Sequence, residues 1–95
     1  MIPLLTENFL KYLKKLNTKN KKYLEIGSGD STIYFSKHFK TVSSLEHDEE
    51  WFKKIQSKNV KNINISMFTK DNIGDLLNFE LNKKPDFIMI DNHPH

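Results

Sequence analysis

The chain has no cysteine, no arginine and only three glycines. Without cysteine, disulfides and thiolate metal centres are excluded, while the redox compartment stays open. Without arginine, bidentate reading of guanine and guanidinium stacking on bases are largely unavailable. All 15 basic residues are therefore lysines, set against 12 acidic ones for a net charge of +3. They are spread along the chain, with small clusters at Lys14-Lys15, Lys19 to Lys22, Lys53-Lys54 and Lys83-Lys84. Abundant Lys, Asn and Ile with no Arg reads as nucleotide bias in an AT-rich genome, so a nucleic-acid partner is not expected. Long apolar runs are also missing. Nothing approaches the ~20 residues of a membrane span, and Glu7 comes too early for a signal-peptide core. A cytoplasmic protein with no membrane partner is expected. What is there, 37% hydrophobic and 28% charged residues over 95 positions, fits one modest globular domain, residues 1–95.

Two of the three glycines stand close together, in Lys22-Tyr23-Leu24-Glu25-Ile26-Gly27-Ser28-Gly29-Asp30-Ser31-Thr32. Tyr23, Leu24 and Ile26 are strand formers, and the run stops at Gly27. Lacking a Cβ, Gly27 and Gly29 let the backbone turn sharply and let a ligand lie against it. Asp30 or Ser31 then caps a helix running from about Ser31 to Phe39.

Around this stretch the chain alternates helix and strand. Phe9, Tyr12, Leu13 and Leu16 mark one face of a helix over 6–16. Thr41 to Leu45 reads as a strand ending in Glu46-His47-Asp48, with Asp48 capping a helix that is acidic first and basic last. Asn62 to Met67 alternates as a third strand, and Asp71 to Leu81 as a helix. A last strand, 86–90, is apolar at every position from Phe87 to Ile90, which predicts cover on both faces. Alternating strands and helices predict a doubly wound, Rossmann-like parallel α/β sheet. Its ligand crevice lies beyond the strand C-termini, between the first strand and the fourth, which ends at Asp91.

Leu24-Glu25-Ile26-Gly27-Ser28-Gly29 resembles motif I of the class I S-adenosylmethionine-dependent methyltransferases. The dinucleotide fingerprint wants a third glycine where this chain has Thr32, so a dehydrogenase-type domain is disfavoured. Glu46 follows Gly27 by nineteen residues, the distance at which an acidic residue holds ribose hydroxyls. The resemblance implies S-adenosylmethionine as cofactor, held by Gly27, Ser28 and Gly29 at the turn and by Glu46 at the ribose. It further implies that Glu25 receives the methionine ammonium and Asp71 the adenine amino group, with helix capping the alternative for Asp71. His47 borders the adenine or packs half-exposed. Asp91 is the one candidate on the catalytic side. Asp91, His93 and His95 have 2-His-1-carboxylate spacing, but Pro94 and the chain end favour a frayed tail, and no metal is expected.

The resemblance covers Lys22 through Asp91 and implies a longer family sheet, of which this chain carries the first four strands. The expectation is a truncated, cofactor-binding half with no assigned methyl acceptor and doubtful catalysis on its own. Its open edge along 86–91 is expected to pair with itself or with a missing C-terminal half. A non-catalytic nucleotide-binding module and a small basic interaction protein are the remaining alternatives.

Overall fold

Tyr23 and Leu24 set the frame, because a strand with large side chains on both faces needs a layer on each side. In the computed structural model, which describes residues 11, 15 and 17–90, both are almost fully buried. Lys11 and Lys15 are helical, but the apolar positions of the helix expected over 6–16, Phe9, Tyr12, Leu13 and Leu16, lie outside that set, as do Asp91, His93 and His95. A 3-10 turn, Thr18–Asn20, leads into β1, Lys22–Ile26. Then follow α1 (Asp30–Ser36), β2 (Thr41–Glu46), α2 (Glu49–Ser57), β3 (Ile63–Met67), α3 (Ile73–Leu81) and β4 (Phe87–Ile90). The four strands form one parallel sheet in the order β3-β2-β1-β4. The fold is α/β and Rossmann-like.

In-register partners share a face, so Tyr23, Val42, Ile63 and Phe87 point one way. On that face Tyr23, Phe35, Phe39 and Val42 form the core, with Tyr34, Ile63, Phe87 and Met89 packed around them. The Tyr23 and Phe35 rings stack at 4.6 Å, and Phe39 meets Phe87 edge-on at 5.4 Å. Burying one such ring contributes about 1.5–3 kcal/mol. Leu24 and Leu45 are buried on the opposite face, where Glu80 and Lys83, at the end of α3, line a cleft with Leu24, Ser43 and Asn64. Right-handed crossovers account for this division, because the chain runs outward twice and then returns across β1 to β4.

Three expectations are corrected. α1 ends at Ser36 rather than Phe39. Phe39 still bonds through its N–H to the Phe35 carbonyl at 2.9 Å and packs in the core, so apolar spacing outlasts the helix. Gly29, not Asp30 or Ser31, is its N-cap residue. β4 is covered on one face only: Phe87 and Met89 meet the core, whereas Ile88 and Ile90 are 53% and 60% exposed. The cover that α3 gives Leu24 on that face leaves Ile88 and Ile90 more than half exposed, and among the described residues β4 pairs with β1 alone. No helix among them is long and apolar enough to cross a membrane.

Candidate functional site

The turn after β1 begins on the sheet, where the Gly27 N–H bonds to the Leu45 carbonyl at 2.7 Å. Gly27 then takes φ 97°, a region L side chains seldom enter. Its glycine is a backbone requirement. Gly29 differs: at φ 173° it is extended, and a Cβ built there meets nothing within 4 Å. Positive φ therefore belongs to Gly27 and not to Gly29. Among the described residues no steric contact asks for glycine at position 29, where it serves as the N-cap of α1.

Glu46 ends β2 and is completely buried, directly beside this turn. Its Oε1 accepts the Ser28 N–H at 2.7 Å and the Ser28 hydroxyl at 2.5 Å. Its Oε2 accepts the His47 and Asp48 N–H groups at 2.8 and 2.9 Å and lies 3.2 Å from His47 Nδ1. A carboxylate offers about four lone-pair sites, and here all are engaged from within. Burial raises the Glu46 pKa, but bonds from the Ser28 hydroxyl, the Asp48 and Ser28 N–H groups and His47 outweigh it. The carboxyl is held below the usual 4.5. In this state the ribose acceptor expected from the sequence is also a brace tying the glycine turn to the end of β2.

Glu25 is 3% exposed and points beneath the turn. The Thr32 hydroxyl donates to Glu25 Oε1 at 2.5 Å and accepts the Gly29 N–H at 3.0 Å. Thr32, the residue in place of the third glycine, thus joins the β1 carboxylate to the start of α1. Ser44, opposite Glu25 in the β1–β2 register, is buried with no hydroxyl partner among the described residues. Glu25, Ser28, Thr32, Ser44 and Glu46 together form a buried polar layer under the turn.

Asp48 caps α2 as expected, its Oδ1 accepting the Trp51 N–H at 3.1 Å. His47, with its side chain 60% exposed, stacks on Phe68 with centroids 5.5 Å apart and planes 18° from parallel. The Phe68 N–H bonds to the Glu46 carbonyl at 2.9 Å, which brings the loop after β3 against the end of β2. Asp71 is exposed in that loop, its N–H bonded to Thr69 Oγ1 at 3.2 Å. It is not the helix cap, because α3 starts at Ile73 after Asn72. The fold thus brings together Gly27, Ser28, Gly29, Glu46 and His47, sets Glu25 one layer below, and leaves Asp71 on an exposed loop. Sequence reasoning missed Thr32 and Phe68 as members of the site. Phe68 left one signal, a second apolar residue directly after Met67 that breaks the alternation of Ile63, Ile65 and Met67.

Two clefts lie away from the turn, one of about 360 Å³ beside Ile55, Val60 and Ile63 and one of about 200 Å³ under the start of β1. Neither is lined by a member of the polar layer under the turn. Among the described residues no three His, Asp or Glu side chains converge as metal ligands. Comparisons with protein-family profiles, with curated proteins and with solved structures return no match for this chain.

Proposed function

We propose that the chain binds a nucleoside cofactor over its glycine turn, that this cofactor is S-adenosylmethionine, and that the reaction class is methyl transfer. The observation that carries the reading is Gly29. It is extended, a Cβ there would meet open space, and yet it is one of only three glycines in the chain. Gly74 is as open but lies within α3, whereas Gly29 stands at the glycine turn, where the missing Cβ leaves room for a ligand to lie against the backbone. The parallel order β3-β2-β1-β4 supports the same crevice, since ligands of such sheets sit beyond the strand C-termini near the first strand.

Glu46 accepts the ribose by exchange. Its backbone donors, from Ser28, His47 and Asp48, are fixed by the chain, but the Ser28 hydroxyl and the His47 ring are side chains that can turn away. Two ribose hydroxyls replace those two donors, one on each carboxylate oxygen. His47 and Phe68, already parallel, supply an aromatic wall for the base. Glu25 acts as a positioning residue, holding the turn through Thr32. When bound, S-adenosylmethionine supplies an activated methyl group, and the protein's task is to hold an acceptor in line with it. Asp91 stays the candidate on the acceptor side. A dinucleotide is disfavoured because the Thr32 side chain fills the place where that fingerprint needs close helix–strand approach.

Calorimetric titration with S-adenosylhomocysteine and with NAD tests the reading on wild type and Gly29→Val. Wild type is expected to bind S-adenosylhomocysteine and not NAD. Gly29→Val should lose that binding while its unfolding free energy changes by less than about 1 kcal/mol, the scale of an N-cap preference. Undiminished affinity in the variant removes the glycine turn from the site.

A further inference from the structure

Lysines dispersed in sequence are gathered by the fold onto one edge of the sheet. All four strands run parallel, so the loops that enter them lie together, at the end opposite the glycine turn. Lys58 and Lys61 precede β3, and Lys37 and Lys40 precede β2. Lys19, Lys21 and Lys22 enter β1, and Lys83 and Lys84 precede β4. Only two carboxylates share these loops: Glu80, which is buried and pairs with Lys83, and Asp86, which accepts the Lys22 N–H. At the opposite edge Lys70 shares the loops and helix starts with Asp30, Asp48, Glu49, Glu50 and Asp71. A net charge of +3 thus conceals two edges of opposite sign.

Helix dipoles explain part of this, since cations are favoured at helix C-termini. That accounts for Lys37, Lys58 and Lys83. It does not account for Lys21, Lys40, Lys61 and Lys84, which stand one to three places before the four strands. None of these four is in an ion pair among the described residues. They form a row in the strand order β3-β2-β1-β4. Neighbouring strands are ~4.8 Å apart, so the row spans roughly 14 Å, over which one strand of a duplex presents about four phosphates.

We propose that this basic edge is a docking surface for the phosphodiester backbone of a nucleic acid, without sequence preference. A linear row of compact, unpaired ammonium groups suits a linear polyanion, and lysine acts at phosphate as a point charge. The absence of arginine argues against base reading. Phe79 is exposed with Lys83 Nζ 4.4 Å from its ring centre, one aromatic plate beside the row. A lipid surface fits less well, because it is flat and the row is one strand-end wide. The site lies away from the glycine turn and does not depend on the cofactor reading.

The test is fluorescence anisotropy with a labelled 20-base-pair duplex and a labelled 20-nucleotide oligothymidylate between 50 and 200 mM salt. With about four phosphates neutralised, duplex affinity should fall on the order of 100-fold across that range. Lys21→Gln, Lys40→Gln, Lys61→Gln and Lys84→Gln should each weaken binding and reduce the salt slope by about 0.9 on duplex. The fourfold variant should show no binding, and Lys70→Gln at the opposite edge should match wild type. Thermal unfolding of each variant checks that the fold persists, and the single variants carry the test if the fourfold one unfolds. No binding by wild type at 50 mM salt overturns the proposal. So does an equal loss in Lys70→Gln, or binding confined to phosphatidylserine vesicles run in parallel.

Discussion

Replacing Glu46 is expected to damage the fold before it damages any ligand site. Glu46→Ala removes the acceptor for three backbone N–H groups, those of Ser28, His47 and Asp48, and for the Ser28 hydroxyl. Hydrogen bonds to a charged group are worth about 1.5–3 kcal/mol each. Water admitted to the emptied space recovers part of this, leaving a loss of about 3–5 kcal/mol. A domain of this size has roughly 5–14 kcal/mol in all, so the melting temperature should drop by about 12 °C or more. Glu46→Gln keeps one acceptor oxygen but turns an amide donor toward other donors, and should cost about 2–3 kcal/mol. The two variants also differ from wild type in their response to acid. A carboxyl with a lower pKa folded than unfolded adds stability above its unfolded value and loses it as pH falls toward the folded one. The gap between wild type and Glu46→Gln should therefore be full at pH 7 and close as pH falls below the usual value of 4.5. Urea unfolding from pH 7 to pH 3 measures both effects. A Glu46→Ala protein within about 1 kcal/mol of wild type at pH 7 refutes the brace.

Ser28→Ala should cost about 1 kcal/mol of stability yet leave S-adenosylhomocysteine affinity unchanged or a few-fold higher, because it removes a competitor for Glu46 Oε1; a tenfold loss in calorimetry contradicts the exchange. Thr32→Val keeps the shape but strips Glu25 and the Gly29 N–H of this shared partner, and should cost about 2–3 kcal/mol in urea unfolding. A change below about 0.5 kcal/mol shows the link to be incidental. Ile88→Lys and Ile90→Lys should each stay within about 0.5 kcal/mol of wild type, since both side chains are more than half exposed. Phe87→Lys, on the core face of β4, should cost several times as much in the same measurement.

The fold was legible because each strand carries its own signal. Tyr23-Leu24 stops at Gly27, Ile63 and Ile65 alternate, and Phe87 to Ile90 is continuous, so the parallel order followed from alternation with helices. The ends were less legible. Phe39 keeps helical spacing after the helix stops, because core packing and helix geometry make overlapping demands on apolar positions. In the site, the spacing of Gly27 and Glu46 was readable, but the engagement of Glu46 was not. It depends on backbone N–H groups of Ser28, His47 and Asp48, and backbone donors leave no trace in residue identity. Thr32 was visible only as a missing glycine, since its partner Glu25 lies on another element. The lysine row was hidden for the opposite reason: each member was plain, and only the parallel sheet puts them side by side.

The place of β1 between β2 and β4 has a consequence for how the chain is made. Tyr23 pairs with Val42 on one side and with Phe87 on the other. The first partner lies across the single helix α1, and the second closes a loop of roughly 60 residues, where contacts are slow to form. At ribosomal speeds of about 5–20 residues per second, one edge of β1 waits roughly 3–12 s for β4 to emerge. During that interval the ring cluster of Tyr23, Phe35, Phe39 and Val42 can assemble alone, every member lying within 20 residues of the others. The first half of the protein is then a nucleus with an unfinished seam, and the rate at which β4 arrives sets how long a nascent chain stays open to pairing with its neighbours on the same message.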